Sequence, residues 1–120
     1  MSKAETLRLH DYLGHILEAI ERCHLYVEDM DEVAFLQDIK TQDAVIRTFE
    51  VIGEAANNIK KRHAEFAMMH PDIPFGFAIG MRNALSHGYF KVDFELVWKT
   101  IHEDLPELHS QVRKLIEPQG

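Results

Sequence analysis

Near the start of the chain, apolar residues recur at alternating steps of four and three: Leu9, Leu13, Ile16, Ile20, Cys23, Val27 and Met30. That spacing follows the 3.6-residue helical turn, so it gathers them on one face and predicts a long amphipathic helix. Ser2 and Glu5 have the spacing of a capping box at its start. The charged run Glu28, Asp29, Asp31 and Glu32 straddles its end, and a short helical turn burying Phe35 and Leu36 is expected next. From about Thr41 the rhythm returns in Val45, Phe49, Ile52, Ala56 and Ile59, which predicts a second long helix. It ends in Lys60, Lys61, Arg62 and His63, cations whose position complements a helix dipole without any ligand.

Pro71 and Pro74 then interrupt the pattern, and Pro74 suits an early position of a third helix through Phe75, Ala78, Ile79, Met81 and Leu85. Gly88 is placed to stop it. Asp93 is positioned to cap a last helical stretch whose stripe is Val97, Ile101, Leu105, Leu108, Val112 and Leu115. Pro106 removes a backbone donor inside that stretch, so a kink or break is expected there, with Asp104 as a local cap. No alternating strand pattern and no internal repeat occurs. The expected fold class is all-α, an antiparallel up-and-down helical bundle of four main helices plus short helical segments. The heptad-like spacing also leaves room for pairing between two chains.

A length of 120 residues with 46% hydrophobic content suits one domain spanning residues 1–120 with a single core. The lone Cys23 excludes an intrachain disulfide and fits a reducing, cytoplasmic setting. The N-terminal stretch lacks a long apolar run, so neither a secretory signal nor a membrane span is expected, and a soluble, unprocessed protein is. Thirteen Lys and Arg against twenty Asp and Glu leave a formal charge of -7, the wrong sign for generic attraction to nucleic acid. Contact with RNA or DNA must therefore be local.

Eight histidines invite a metal reading, yet no pattern supports it. "HEDLPELH" resembles a zinc-protease helix only at a glance, because His109 does not follow His102 by four residues and Pro106 intervenes. His10 with His15, and Cys23 with His24, are also badly spaced for one helix face. No metal and no cofactor are expected. Ser86 beside His87 makes no triad, and the isolated glycines 53, 76, 80 and 88 form no phosphate-cradling loop.

The stretch "MRNALSHGYF" differs, since its residue types fit one reaction. Arg82 offers a permanently charged fork for phosphate oxygens, His87 can move a proton near neutral pH, and Asn83 can orient either group. Together they could cleave RNA without metal: a base takes the ribose 2'-hydroxyl proton, that oxygen attacks phosphorus, and the cation stabilises the added charge. DNA lacks the hydroxyl and should survive. On a regular helix Asn83 and His87 share a face, whereas Arg82 and His87 diverge by about 140°. Either the helix distorts near Gly88, or a two-fold dimer brings Arg82 of one chain to His87 of the other. The plainer alternative is a solvated helix end, or side chains satisfied by a carboxylate such as Asp93.

In order, "TQDAVIRTFEVIGEAANNIK", "HPDIPFGFAIGMRNALSHGYFKVD" and "VWKTIHEDLPEL" resemble the characteristic blocks of the HepT-like branch of the HEPN superfamily. The resemblance covers most of the chain, and its motif maps onto Arg82, Asn83, His87 and Tyr89. It implies a helical bundle dimerising through the motif region, and a ribonuclease toxin of a type VII toxin–antitoxin pair. The implied partner is a minimal nucleotidyltransferase antitoxin that silences the toxin by transferring AMP to Tyr89, in a homodimer or a larger heteromeric complex. A bulky adenylate there would compete with RNA phosphate at Arg82 and His87. Phe75 stands where the family often has tryptophan, and Gly88 where a larger residue is common. Two rival functions remain: a non-catalytic subunit that docks a nucleotidyltransferase and accepts a nucleotide, and a purely structural helical dimer.

Overall fold

A computed structural model describes residues 2–87 and 92–116, with the backbone alone given for 82–87. The described residues form seven α-helices and no strand: α1 (Lys3–Val27), α2 (Glu32–Leu36), α3 (Ile39–Arg62), α4 (Ala64–Met69), α5 (Phe75–His87), α6 (Phe94–Glu103) and α7 (Leu105–Ile116). The all-α expectation holds, with α1, α3, α5 and the α6–α7 pair as the main arms and α2 and α4 as the short segments.

The local signals account for most boundaries. Ser2 caps α1, its hydroxyl accepting from the Glu5 N–H at 3.1 Å, which satisfies one of the donors a helix start leaves open. Asp31 and Asp38 do the same for α2 and α3, accepting from Ala34 N–H at 2.8 Å and Thr41 N–H at 3.0 Å. Asp93 accepts from both Glu95 and Leu96 N–H at 3.1 Å, as its position predicts. At Pro106 the expected break is present. Asp104 closes α6 by donating its N–H to the Thr100 carbonyl, and its own carbonyl accepts from Leu108 in α7. The α4 helix was not expected. His63 leaves helical geometry at φ -134° and ψ 51°, and this single step lets a second, shorter helix restart at Ala64.

Packing follows the apolar stripes. Leu9, Leu13, Ile16, Ile20, Cys23 and Val27 of α1 are buried against Val45, Phe49, Ile52, Ala56 and Ile59 of α3. The two helices run antiparallel: Tyr12 near the start of α1 meets His63 at the end of α3, while Tyr26 lies with Ala44. Glu21 facing His109 and Leu25 facing Pro106 set α1 antiparallel to the α6–α7 arm as well. The short α4 link returns the chain so that α5 packs back along α3.

Phe35 is fully buried although α2 has five residues, its ring edge-on to Phe94 at 6.2 Å and 5.3 Å from Trp98. Long-range hydrogen bonds pin the joints: Gln42 Nε2 donates to the Phe35 carbonyl at 3.0 Å, and His24 Nε2 to the Ile101 carbonyl at 3.0 Å. Burial pushes the Cys23 thiol up from 9.0 to about 11, opposed by a hydrogen bond with Thr48. A thiol held neutral in the core is no nucleophile. Among the described residues no helix is long and apolar enough to cross a membrane.

Candidate functional site

Helix α5 carries the candidate motif. Ile73, Phe75 and Ala78 anchor its first turns in the core, with Ile79 and Met81 partly buried behind them. Phe75 is 4% exposed, so its ring anchors the start of the helix in the core. At its start, Ala78 N–H donates to the Pro74 carbonyl at 3.1 Å, while Gln111 Nε2 of α7 donates to the Asp72 carbonyl at 3.0 Å. These contacts fix where the motif helix begins.

On the side away from the core, the first two turns of α5 carry two glycines. Gly76 and Gly80 are exposed, and a Cβ built on either meets nothing within 4 Å. Positions 76, 80, 83 and 87 follow one another at steps of four, three and four, so the two glycines continue the stripe on which positions 83 and 87 lie. The helix stays α-helical through His87. Positions 82 and 87 therefore diverge by about 140° within one chain. The side chains of Arg82, Asn83 and His87 lie outside what is described, as do Gly88 and Tyr89, the proposed stop and the proposed acceptor.

The other candidate groups resolve into structural roles. Lys60, Lys61 and Arg62 are exposed in the last turn of α3, where their charge complements the dipole. The zinc-like "HEDLPELH" comes apart in space. His102 lies on Trp98, ring centroids 4.1 Å apart, with Nδ1 2.9 Å from the Trp98 carbonyl, whereas His109 Nε2 pairs with Glu21 at 3.1 Å.

One polar assembly has no counterpart in the sequence reading. Flanking the apolar seam of α1 and α3, Tyr12 and His15 face Arg47, Glu50 and Asn58 across a groove of about 480 Å³. A second hollow of about 380 Å³ continues it through His15 and Arg47 toward Arg22 and Tyr26. On each helix these residues sit beside the apolar stripe at helical spacing. Taken one helix at a time, that pattern is indistinguishable from a solvated face.

The chain matches the family model "Ribonuclease HepT-like" over residues 16–115. It is similar to a "Probable ribonuclease HepT" of Thermococcus cleftensis, 45% identical over 105 residues that cover 88% of this chain and 93% of that one. A candidate RNase of Caldanaerobacter subterraneus subsp. tengcongensis is 36% identical, with 88% and 92% covered. A Methanocaldococcus jannaschii protein, named for a gamma-glutamylcyclotransferase and a candidate RNase, is 40% identical over 88% of this chain but 46% of its own length. No solved structure matches.

Proposed function

The chain belongs to the HepT-like ribonuclease family, and from that premise we propose that it is a metal-independent endoribonuclease, the toxin of a toxin–antitoxin pair. His87 serves as general base or acid, Arg82 stabilises the charge added at phosphorus, and Asn83 positions one of them. The base takes the proton of a ribose 2'-hydroxyl, and the 2'-oxygen bonds to the adjacent phosphorus. The phosphorus–O5' bond breaks and O5' leaves with a proton, giving a 2',3'-cyclic phosphate and a 5'-hydroxyl end.

The observation that carries this reading is the bare stripe on α5. Glycines at 76 and 80 leave the helix surface without side chains in line with positions 83 and 87, so a phosphodiester backbone or the α5 of a second copy approaches closely there. A helix regular through His87 keeps Arg82 and His87 of one chain on diverging faces, which favours a homodimer through the motif region that joins them across two subunits. The dimer also concentrates two motif arginines against the overall charge of -7. Tyr89 is proposed as the regulatory acceptor of AMP from a minimal nucleotidyltransferase antitoxin in the cytoplasm. An adenylate there places bulk and negative charge close in sequence to His87.

Purified, unmodified protein incubated with single-stranded RNA in EDTA should yield cyclic-phosphate ends, and DNA of the same sequence should survive. After co-expression with a minimal nucleotidyltransferase, mass spectrometry should find AMP on Tyr89 and cleavage should cease. An intact RNA after incubation with the unmodified protein favours the second reading, a non-catalytic nucleotide-accepting subunit, which the negative charge supports through attraction to a basic partner.

A further test addresses the stripe. Gly80→Leu adds a good helix former whose Cβ meets no atom of its own chain within 4 Å, so the stability of the single chain, measured at concentrations too low for a dimer, should rise by about 0.5–1 kcal/mol. Cleavage should nevertheless fall at least tenfold, because the new side chain stands in the approach to position 83. A variant that is more stable and equally active removes the stripe from the mechanism.

A further inference from the structure

The groove between α1 and α3 plays no part in the chemistry above, and its lining is unlike an ordinary solvated seam. The half-buried ring of Tyr12 lies between His15, edge-on at 6.5 Å, and the buried His63, edge-on at 6.1 Å, and the Tyr12 and His15 rings line the groove. Val51 and the buried Ala55 supply an apolar floor, and Asn58 stands at its side. A volume of about 480 Å³ lies in the range of small-molecule sites.

We propose that this groove is a nucleobase subsite, which takes one unpaired base of the RNA against Tyr12, with the Asn58 amide at the base edge and Arg47 on the adjoining phosphate. The inference rests on the ribonuclease reading for the identity of its ligand, and adds where an unpaired nucleotide is held.

Charge selects the part of the nucleotide that enters. Glu50 and Glu54 line the same groove as Arg47, so a bare phosphate gains little by going in, whereas a base is uncharged and exposes a flat face. Tyrosine and histidine rings stack on any base, and an amide with two donors and one acceptor matches the Watson–Crick edges. Arg47 is 74% exposed and 3.7 Å from Glu50, a loose surface pair of small worth. Its guanidinium is available to a phosphate at the mouth.

Position supports the same ligand. Helix α3 packs against both α1 and α5. Helix α3 thus carries the groove on its α1 flank and supports the motif helix on another. A second copy of the chain fits less well. A docked helix needs a long apolar seam, and the floor here consists of Val51 and Ala55.

The test uses full-length, 15N-labelled protein titrated with each of the four ribonucleoside 5'-monophosphates in EDTA. At least one should shift the Ala55 and Asn58 amide signals, including the Asn58 side chain. Asn58→Leu and, separately, Arg47→Ala should weaken that binding about tenfold with thermal midpoints unchanged, as expected for the loss of one or two polar contacts. The subsite is overturned if no nucleotide shifts the groove signals, or if those signals report burial by a second copy whether or not nucleotide is present. Cleavage assays on the same preparations separate the two proposals. RNA cutting without groove binding removes the subsite alone, and groove binding without cutting removes the ribonuclease reading alone.

Discussion

His87→Ala is expected to reduce cleavage of single-stranded RNA by about 10²–10⁴-fold, the usual contribution of a positioned general acid or base. Arg82→Ala should cost about 10²–10³-fold, since it removes a cation from the site where charge develops. Thermal midpoints recorded alongside separate lost chemistry from lost folding. The informative experiment combines the two variants. In a mixed dimer of one Arg82→Ala chain and one His87→Ala chain, a site built across subunits survives once, because the intact Arg82 and the intact His87 come from different chains. About half the wild-type activity per mixed dimer should return, which is about a quarter for an equimolar mixture in which half the dimers are mixed. A site built within one chain is broken in both subunits and recovers nothing. Recovery is the expected result, because α5 remains helical through His87 and turns positions 82 and 87 away from each other. Wild-type cleavage by either single variant removes that residue from the mechanism.

The largest expected effect on stability comes from Phe35. Its side chain is fully buried between Phe94 and Trp98, so Phe35→Ala combines lost burial with a cavity and should cost about 3–5 kcal/mol, read as a lower denaturant midpoint. Helix α2 is too short to persist without tertiary support, and this ring is its one buried residue. Trp98, 5.3 Å away, reports the change by its fluorescence. Val33→Ala provides the control on the same helix. At 63% exposure it should stay within about 0.5 kcal/mol of the parent. A comparable loss from both variants would mean that α2 is held by its backbone rather than by the buried ring.

The helices themselves were legible because helical information is short in range. A stripe such as Leu9, Leu13, Ile16 and Ile20 declares its buried face within a few turns, and Ser2 or Asp93 caps a helix by reaching two or three residues along the chain. Pro106 announces its break through a missing N–H at one position. The restart at Ala64 was harder to read, because it turns on the backbone angles of one residue, His63, inside a run whose composition suits an uninterrupted helix end.

The candidate site divides in the same way. Arg82, Asn83 and His87 are neighbours on one helix, so residue type and the family blocks bring them to notice together. The angular divergence of positions 82 and 87 follows from helical geometry, but whether two chains bring them together is a matter of association. The groove was out of reach for a different reason. Tyr12 and Asn58 are far apart along the chain, and each belongs to a flank that reads as ordinary polar surface. They meet because apolar stripes elsewhere on α1 and α3 pack in one antiparallel register. Periodicity and caps act over a single turn and are carried by the chain's own order, whereas the meeting of two polar flanks depends on how the core closes between distant segments.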